Sequence, residues 1–301
     1  MRSTRQVGAA LCAAMALVAA ISLASDYTPE QQATADFIDA RLPKGVVNSD
    51  DPHTLLLGAV WSTDEARRAH FLERALHFAP NDPIVLTQAN DFCQGFRTTQ
   101  AVCNDHDWLE RLAAADPDNG APWIAIAARQ SVGDDIEGVI NALEEAAARP
   151  YHDGYFGRAV KAYYRALHRQ APSGRSFSEL VVFDRAGGIA AATVGIESGI
   201  VISCREMRSD TRLLHLCRKV ANQIIDKPSS MAGAVFAAGV LRRVPDVTPQ
   251  ERERIETVTQ QRADFSKLTE ARYNAWRADP SLIEQAVDEM ALHGEYRAWW
   301  Q

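Results

Sequence analysis

A leucine segment followed by a proline recurs three times in the first half of the chain, and no other feature of the sequence constrains the fold as strongly. In the first two copies the proline follows the leucine by eight residues, and these copies are offset by 37 residues; the third leucine comes 34 residues after the second. Repetition at this period is typical of helical units that each leave one apolar face to be covered by the next unit. The three leucine–proline pairs are Leu72 with Pro80, Leu109 with Pro117, and Leu143 with Pro150.

Helix signals run through the rest of the chain, whereas no segment has a convincing strand pattern. Residues 28–31 and 248–251 each combine an N-cap threonine, a proline at the first helical position, and a glutamine or glutamate three residues after the cap. The β-branched stretch at 189–202 is interrupted by Gly195 and Gly199, which favours a helix packed closely on its neighbours. The sequence therefore predicts an all-α fold in which each leucine segment is paired with a preceding shorter helix.

Over residues 50–170 the chain resembles the tetratricopeptide-repeat family, whose unit is a helix–turn–helix of 34 residues. The third unit matches best, although Gln130 and Val139 depart from the family pattern, and the segment 93–103 interrupts the second unit. The resemblance implies antiparallel helix pairs stacked in an α-solenoid; another kind of stacked helix pair is the alternative. The matching positions are Trp123, Ile126, Ala127, Leu143 and Ala146 in the third unit, and Leu72, Ala75 and Pro80 in the first.

Two regions of unequal regularity are predicted. Residues 26–172 form the tetratricopeptide-like repeats and end in a fourth helix at 153–170, which we expect to pack against the third unit. A joint at 171–174 leads into residues 173–301, an irregular helical region packed on the repeats. Helices in this region are predicted at 176–201, 209–226, 229–243, 249–278 and 280–300.

The N-terminal residues have the pattern of a secretory signal. Arg2 and Arg5 precede an uncharged run at 7–24, and small residues end that run. Cleavage after Ala24 is expected, with cleavage after Ser25 as the competing choice, so residues 1–24 form the signal peptide and the mature protein is periplasmic or secreted. The alternative is an inner-membrane protein anchored by 7–24, because 18 uncharged residues reach the lower limit for a membrane span.

Four of the five cysteines lie beyond this segment, as two close pairs. An even number of cysteines in an exported protein indicates disulfides, and proximity along the chain favours joining Cys93 to Cys103 and Cys204 to Cys217. A zinc site is the alternative, but neither pair has the spacing of two to four residues that zinc knuckles use. The disulfide prediction therefore agrees with the predicted export.

Aromatic and imidazole side chains gather around the predicted fourth helix, and they are the candidate partner-binding residues. In superhelical repeat proteins such helices line the concave face, so exposed members of this group could hold a partner peptide. Packing in the core is the alternative role for the group. Its members are Tyr151, His152, Tyr155, Tyr163, Tyr164 and His168.

Composition and motifs exclude several classes of function. The net charge of −7 argues against binding to nucleic acid or to anionic lipid, and no membrane contact is expected beyond the possible N-terminal anchor. The acidic run at 116–120 is not an EF-hand calcium loop, because Ala127 stands where the loop needs its glutamate. Since no phosphate-binding or dinucleotide motif is present either, no cofactor and no metal site are predicted.

The most favoured function is non-catalytic binding of a protein or peptide by a helical-repeat protein, as an adaptor, a scaffold, or an inhibitor or immunity protein. The alternative is a cell-envelope hydrolase whose catalytic acids lie in the C-terminal half. A hydrolase of this kind needs two carboxylates that face each other across a cleft. The available acids are Glu179, Asp184, Glu197 and Glu206.

Overall fold

The computed structural model describes residues 27–96, 100–104, 107–172, 177–191 and 196–300. Within these ranges the chain folds into fifteen α-helices and two short 3-10 turns, with no β-strand, so the predicted all-α class is confirmed. No described helix is both long enough and apolar enough to cross a bilayer. The predicted signal peptide at 1–24 and the alternative anchor at 7–24 lie outside the described residues.

The helices vary in length from five residues to thirty, and they are joined by links of one to eleven residues. In chain order they are α1 Pro29–Gly45, α2 Pro52–Trp61, α3 Glu65–Phe78, α4 Pro83–Phe96, α5 Trp108–Ala115, α6 Ala121–Val132, α7 Ile136–Ala147, α8 Phe156–Arg169, α9 Glu179–Ala191, α10 Gly199–Ser203, α11 Thr211–Asp226, α12 Met231–Leu241, α13 Pro249–Ala278, α14 Ser281–His293 and α15 Glu295–Trp300.

Both predicted N-terminal capping signals are present. At α1 the Gln31 amide donates to Thr28 Oγ1 (3.3 Å), and the Thr28 amide donates to Gln31 Oε1 (2.9 Å). At α13 the Glu251 amide donates to Thr248 Oγ1 (3.2 Å), and the Thr248 amide donates to Glu251 Oε2 (2.9 Å). These bonds satisfy amide groups that a helix end otherwise leaves without partners, so local sequence determines where both helices begin.

The apolar side chains form two cores. The first core contains buried residues of α1–α5, α8, α9, α14, α15 and the second half of α13, for example Tyr163 and Val181. The second core contains buried residues of α6, α7, α10–α12 and the first half of α13, for example Leu143 and Val220. Helix α13 is about 45 Å long and places Ile255 in the second core while Trp276 lies in the first.

Helix α8 does not continue the stack of repeat units, contrary to the sequence prediction. It packs mainly against α9, α14 and α2, whereas the third unit, α6–α7, is covered by α10 and α11. The reason is the width of its apolar face: Phe156, Val160, Tyr163, Tyr164 and Leu167 are all buried, and α9, α14 and α2 together enclose them. The helix that follows α7 along the chain is therefore not the helix that packs on α7 in space.

Two of the predicted C-terminal helices are also interrupted. The helix expected over 176–201 ends at Ala191, and a separate short helix begins at Gly199. The helix expected over 280–300 breaks at Gly294, which has a φ of +83°. A Cβ atom at this position would lie 2.5 Å from the carbonyl oxygen of Ser229, so the close approach of the two backbones and the left-handed φ both require glycine.

The two predicted disulfide pairings are those found in the structure. Cys93 and Cys103 have Cα atoms 5.3 Å apart, and those of Cys204 and Cys217 are 5.8 Å apart. The first disulfide links α4 to the 3-10 turn at Ala101–Cys103. The second links the residue that follows α10 to the middle of α11, and so holds together two helices that pack on α6 and α7.

Filling the empty space beside Gly187 is expected to stabilise the protein. This glycine lies within α9 and borders a cavity of about 20 Å³ in the first core, and a Cβ atom there would have no heavy atom within 4 Å. Gly187→Ala should raise the free energy of unfolding by about 1 kcal/mol, because alanine favours the helix and buries a methyl group. Urea denaturation measures this change.

Gly157→Ala is the matched control, since a Cβ at position 157 would lie 2.0 Å from the carbonyl oxygen of Met290. It should destabilise the fold by about 2 kcal/mol or more through overpacking. A Gly187→Ala protein that is less stable than the wild type would contradict the packing described for α9.

The two disulfides should differ in their resistance to reduction under native conditions. Cys204 and Cys217 are fully buried, whereas Cys93 is partly exposed. Dithiothreitol should therefore reduce the Cys93–Cys103 bond at least about tenfold faster, because a buried disulfide is attacked only after local opening. Quenched alkylation followed by peptide mass mapping gives both rates, and equal rates would contradict the difference in burial.

Candidate functional site

The aromatic group predicted to bind a partner is mostly interior. His152, Tyr155, Tyr163 and Tyr164 are each at most 6% exposed. These four residues therefore pack in the core, which is the alternative role given for the group. The physical reason is the position of α8, which lies between α2, α9 and α14 instead of at the end of an open stack.

The two remaining members of that group, Tyr151 and His168, are partly exposed but are already paired with acids. The Tyr151 hydroxyl donates to Asp116 Oδ1 (2.6 Å), and His168 Nε2 lies 3.0 Å from Glu179 Oε2. Glu179 also accepts a hydrogen bond from the Tyr164 hydroxyl. The structure thus brings together Tyr164, His168 and Glu179, which join α8 to α9.

The four acids proposed for the hydrolase alternative do not converge on a cleft. Asp184 accepts hydrogen bonds from the hydroxyls of Tyr27 and Tyr273, and Glu206 is exposed beside Arg205. Glu179 binds Tyr164 and His168 as described above. Only Glu197 lies among other carboxyl groups, and these do not belong to the predicted set.

Glu197, Glu295 and Asp153 form the feature that we call the carboxyl cluster. Glu197 Oε2 accepts a hydrogen bond from Ser230 Oγ (2.5 Å), and its Oε1 lies 3.5 Å from Ser229 Oγ. Glu295 Oε2 accepts from the amide of Met231 (3.3 Å). Asp153 lies in the link α7–α8, Glu197 in the link α9–α10, the two serines in the link α11–α12, and Glu295 at the start of α15. The cluster therefore lies where segments from both cores meet.

Burial determines the ionisation of the cluster. The pKa of Glu197 is raised to about 8, mainly by desolvation and additionally by the negative charges of Glu295 and Asp153. Desolvation raises the pKa of Glu295 to about 7 and also raises that of Asp153, although Arg158 opposes the shift of Asp153. Glu197 is therefore mostly protonated at neutral pH, and its hydroxyl can donate to Ser229 Oγ while its other oxygen accepts from Ser230.

A polar clamp holds the Asp153 side of the cluster. Asn119 is fully buried: its Nδ2 donates to the carbonyl of Asp153 (2.8 Å), and its Oδ1 accepts from the amide of Asp153 (2.9 Å). Arg158 forms ion pairs with Asp153 and Asp116, both at 3.1 Å. The acidic run at 116–120 therefore connects two links between helices.

The carboxyl cluster has no room for a substrate. A Cβ atom on Gly154 would lie 2.4 Å from Glu197 Cγ, so the link at 152–155 is in direct contact with that side chain. The cavity beside Glu295 has a volume of about 20 Å³, which is enough for about one water molecule. Among the described residues no group of acids, histidines and cysteines is arranged to hold a metal ion.

One open depression on the described surface is a shallow groove along the first three turns of α13, which we call the α13 groove. Its volume is about 600 Å³. Its apolar residues are the buried Ile255 and the partly buried Val247, and its remaining residues are exposed and polar. Those polar residues are Arg242, Arg252, Glu256, Thr259 and Gln260.

Hydrogen bonds across this groove hold one of its arginines in place. The Arg242 guanidinium donates to Thr259 Oγ1, and the Thr259 hydroxyl donates to the carbonyl of Ile255 (2.6 Å). Arg242 is the residue that follows α12 and Thr259 lies on α13, so this contact joins the two helices at the groove. Arg252 and Glu256 lie one helical turn apart on the exposed side of α13 and form no ion pair with each other.

No family model, curated protein or solved structure matches the chain. The site is therefore interpreted from its own geometry.

Sequence reasoning missed Glu295, Ser229 and Ser230, as well as the α13 groove. The one local signal for Glu295 was Gly294, since a glycine near a helix end commonly terminates the helix. If the helix predicted over 280–300 had been divided at Gly294, the prediction would have placed Glu295 at the start of a new helix. The groove has no local signal, because it forms only where the end of α12 meets α13.

Glu197→Gln is expected to make stability less dependent on pH. The pKa of Glu197 in the folded protein lies above its ordinary value of 4.5, so folded protein retains a proton that unfolded protein releases. Its stabilising contribution is therefore complete below pH 4.5 and is lost as pH rises towards 8, by roughly 2–4 kcal/mol. Glu295 acts in the same direction.

Urea denaturation from pH 5 to pH 8 tests this expectation. The Glu197→Gln protein should be about 2 kcal/mol more stable than the wild type at pH 8, with a difference of less than about 1 kcal/mol at pH 5. The exposed Glu206 supplies the control, Glu206→Gln, which should follow the wild-type profile. An unchanged pH profile in Glu197→Gln would show that Glu197 is ionised at neutral pH, contrary to the geometry.

Proposed function

We propose that the chain is a non-catalytic helical-repeat protein that binds a segment of another protein, as an adaptor, a scaffold or an inhibitor. The observation that supports this proposal is the α13 groove, an open surface depression of about 600 Å³ with an apolar floor and a polar rim. Binding sites for protein segments combine these features, because apolar contact supplies affinity and rim hydrogen bonds supply orientation.

The tetratricopeptide-like interpretation is part of the same proposal. Helices α2 and α3, α4 and α5, and α6 and α7 pack on each other in pairs, and each pair also contacts the next. These contacts support three tetratricopeptide-like units, which end at α7. In this proposal the repeats act as the support, and the binding surface lies on α13 and not on the face formed by α8.

We also propose that the protein acts in an oxidising compartment, the periplasm or the extracellular space. Two disulfides with ordinary Cα separations support this location, because reducing compartments do not maintain such bonds.

The geometry gives less support to the hydrolase alternative. Glycoside hydrolases place two carboxyl groups about 5–9.5 Å apart, with the sugar between them. Here the carboxyl with the highest pKa, that of Glu197, is in contact with Ser229, Ser230 and the link at Gly154. Its raised pKa follows from packing at the boundary of two cores, and no described cleft leads to it.

Site-specific photocrosslinking tests the proposed binding surface. A photoreactive amino acid at Gln260, inside the groove, should capture one discrete partner protein in cells that naturally make the chain. The matched control is the same amino acid at Glu270, which is exposed on the same helix but outside the groove.

Capture at 260 without capture at 270 is the expected result, since a bound segment contacts only the groove. Capture of the same products at both positions, or of none at either, would contradict binding in the α13 groove.

A further inference from the structure

We propose that the segment bound in the α13 groove is acidic, a stretch of a partner protein in which glutamates or aspartates alternate with apolar residues. This inference rests on the proposed binding function and specifies the chemistry of the partner. It depends on four arginines, Arg208, Arg242, Arg243 and Arg252, which we call the arginine patch.

Backbone contacts and the groove lining relate the four arginines to one another. Arg208 donates from Nε and from a terminal nitrogen to the carbonyl oxygen of Arg243, at 3.1 and 2.8 Å, and Arg243 in turn donates to the carbonyl oxygen of Arg205 (2.7 Å). Arg242 adjoins Arg243 along the chain and lines the groove together with Arg252. The positive charges thus extend from the link α10–α11, across the end of α12, into the groove.

No member of the patch forms an ion pair with a described carboxylate, although acids outnumber bases in this chain by 39 to 32. Arginines on α11 and elsewhere on α13 do have such partners: Arg212 pairs with Glu144 (3.4 Å), Arg218 with Glu251 (2.6 Å) and Arg254 with Asp226 (3.3 Å). The four guanidinium groups of the patch, none of which forms an ion pair among the described residues, are therefore a local departure from the charge pattern of the protein. Their positive potential would attract an acidic segment.

Three of these arginines are oriented before any partner binds. Arg208 and Arg243 are each held by a backbone carbonyl, and Arg242 is held by Thr259. A guanidinium group has five N–H donors, so each retains donors for a carboxylate after making these bonds. Because the side chains are already ordered, a carboxylate that binds them costs less conformational entropy than one that binds free arginines.

The other residues of the groove favour a polypeptide over other anions. Ile255 and Val247 offer an apolar floor, which suits the apolar side chains of a peptide and not a phosphate backbone. The total charge of −7 would repel nucleic acid and anionic membranes, whose charge extends far beyond the patch. Glu256 is the one acid among the groove residues, and the two groove arginines outnumber it.

Fluorescence anisotropy with two labelled peptides tests the inference. The first probe is a 12-residue peptide in which glutamate alternates with leucine or isoleucine, and the second has every glutamate replaced by glutamine. The proteins are the mature wild-type chain, the Arg242→Gln/Arg252→Gln variant, and the control Arg262→Gln/Arg297→Gln. The control removes the same charge from exposed positions outside the groove.

The wild type should bind the acidic probe at least about tenfold more tightly than the amide probe, since hydrogen bonds from guanidinium to carboxylate groups are stronger than those to neutral amides. The groove variant should lose at least about tenfold in affinity for the acidic probe, and the control less than about threefold. All three proteins should have the same circular dichroism spectrum and the same melting temperature, because every substitution is at an exposed side chain.

Equal binding of the two probes, both weakened by the groove substitutions, would overturn the inference about charge and leave the proposed binding function intact. Equal loss in the groove and control variants would also overturn it, because the attraction would then come from total charge. If neither probe binds, the proposal of an acidic partner is also overturned. The proposed binding function is tested separately, by photocrosslinking at position 260. Binding to vesicles of anionic phospholipid that exceeds binding to the acidic probe would identify a membrane surface instead.

Discussion

The boundary between the two hydrophobic cores is the constraint on which the rest of the structure depends. Neither core is closed without the other, because α13 contributes its first half to one and its second half to the other. A helix in a protein gains most of its stability from packing, and α13 buries Ile255 towards one end and Trp276 towards the other. The same helix contributes Ile255 to the floor of the groove and exposed polar residues to its rim.

The carboxyl cluster closes this boundary at a second place. Links between helices of both cores meet there, and backbone groups at such a meeting need hydrogen-bond partners because water is excluded. Ser229 bonds to the carbonyl of His152, Ser230 caps α12 and bonds to Glu197, and Glu295 accepts the amide of Met231. The raised pKa values of these acids follow from this structural role. The carboxyl cluster therefore connects the two cores. The residues proposed to bind a partner lie elsewhere, at the end of α12 and on α13.

The parts of the fold that were predictable have their causes within a few residues. The caps at Thr28 and Thr248 work through bonds to residues three positions away, and each disulfide joins cysteines separated by 10 or 13 positions. The glycine that ends α14, Gly294, is a local signal, but the need for glycine there comes from a residue far away along the chain. The backbone of Ser229 leaves no space for a side chain at position 294. Local signals thus determine helix ends well when the bonding partner is also local.

The sequence by itself determined that the chain is helical, where most of its helices lie and which cysteines pair, because periodicity, capping and short loops act over a few turns. Only the tertiary structure decided that α8 packs on α9, α14 and α2, that Tyr163 is buried and that Glu197 lies near Glu295, 98 positions away. It also decided that Arg208 donates to the carbonyl oxygen of Arg243, 35 positions away. Several helices of this chain have apolar faces that could pack against more than one other helix. Which helices pack together depends on the arrangement that buries all the apolar faces most completely.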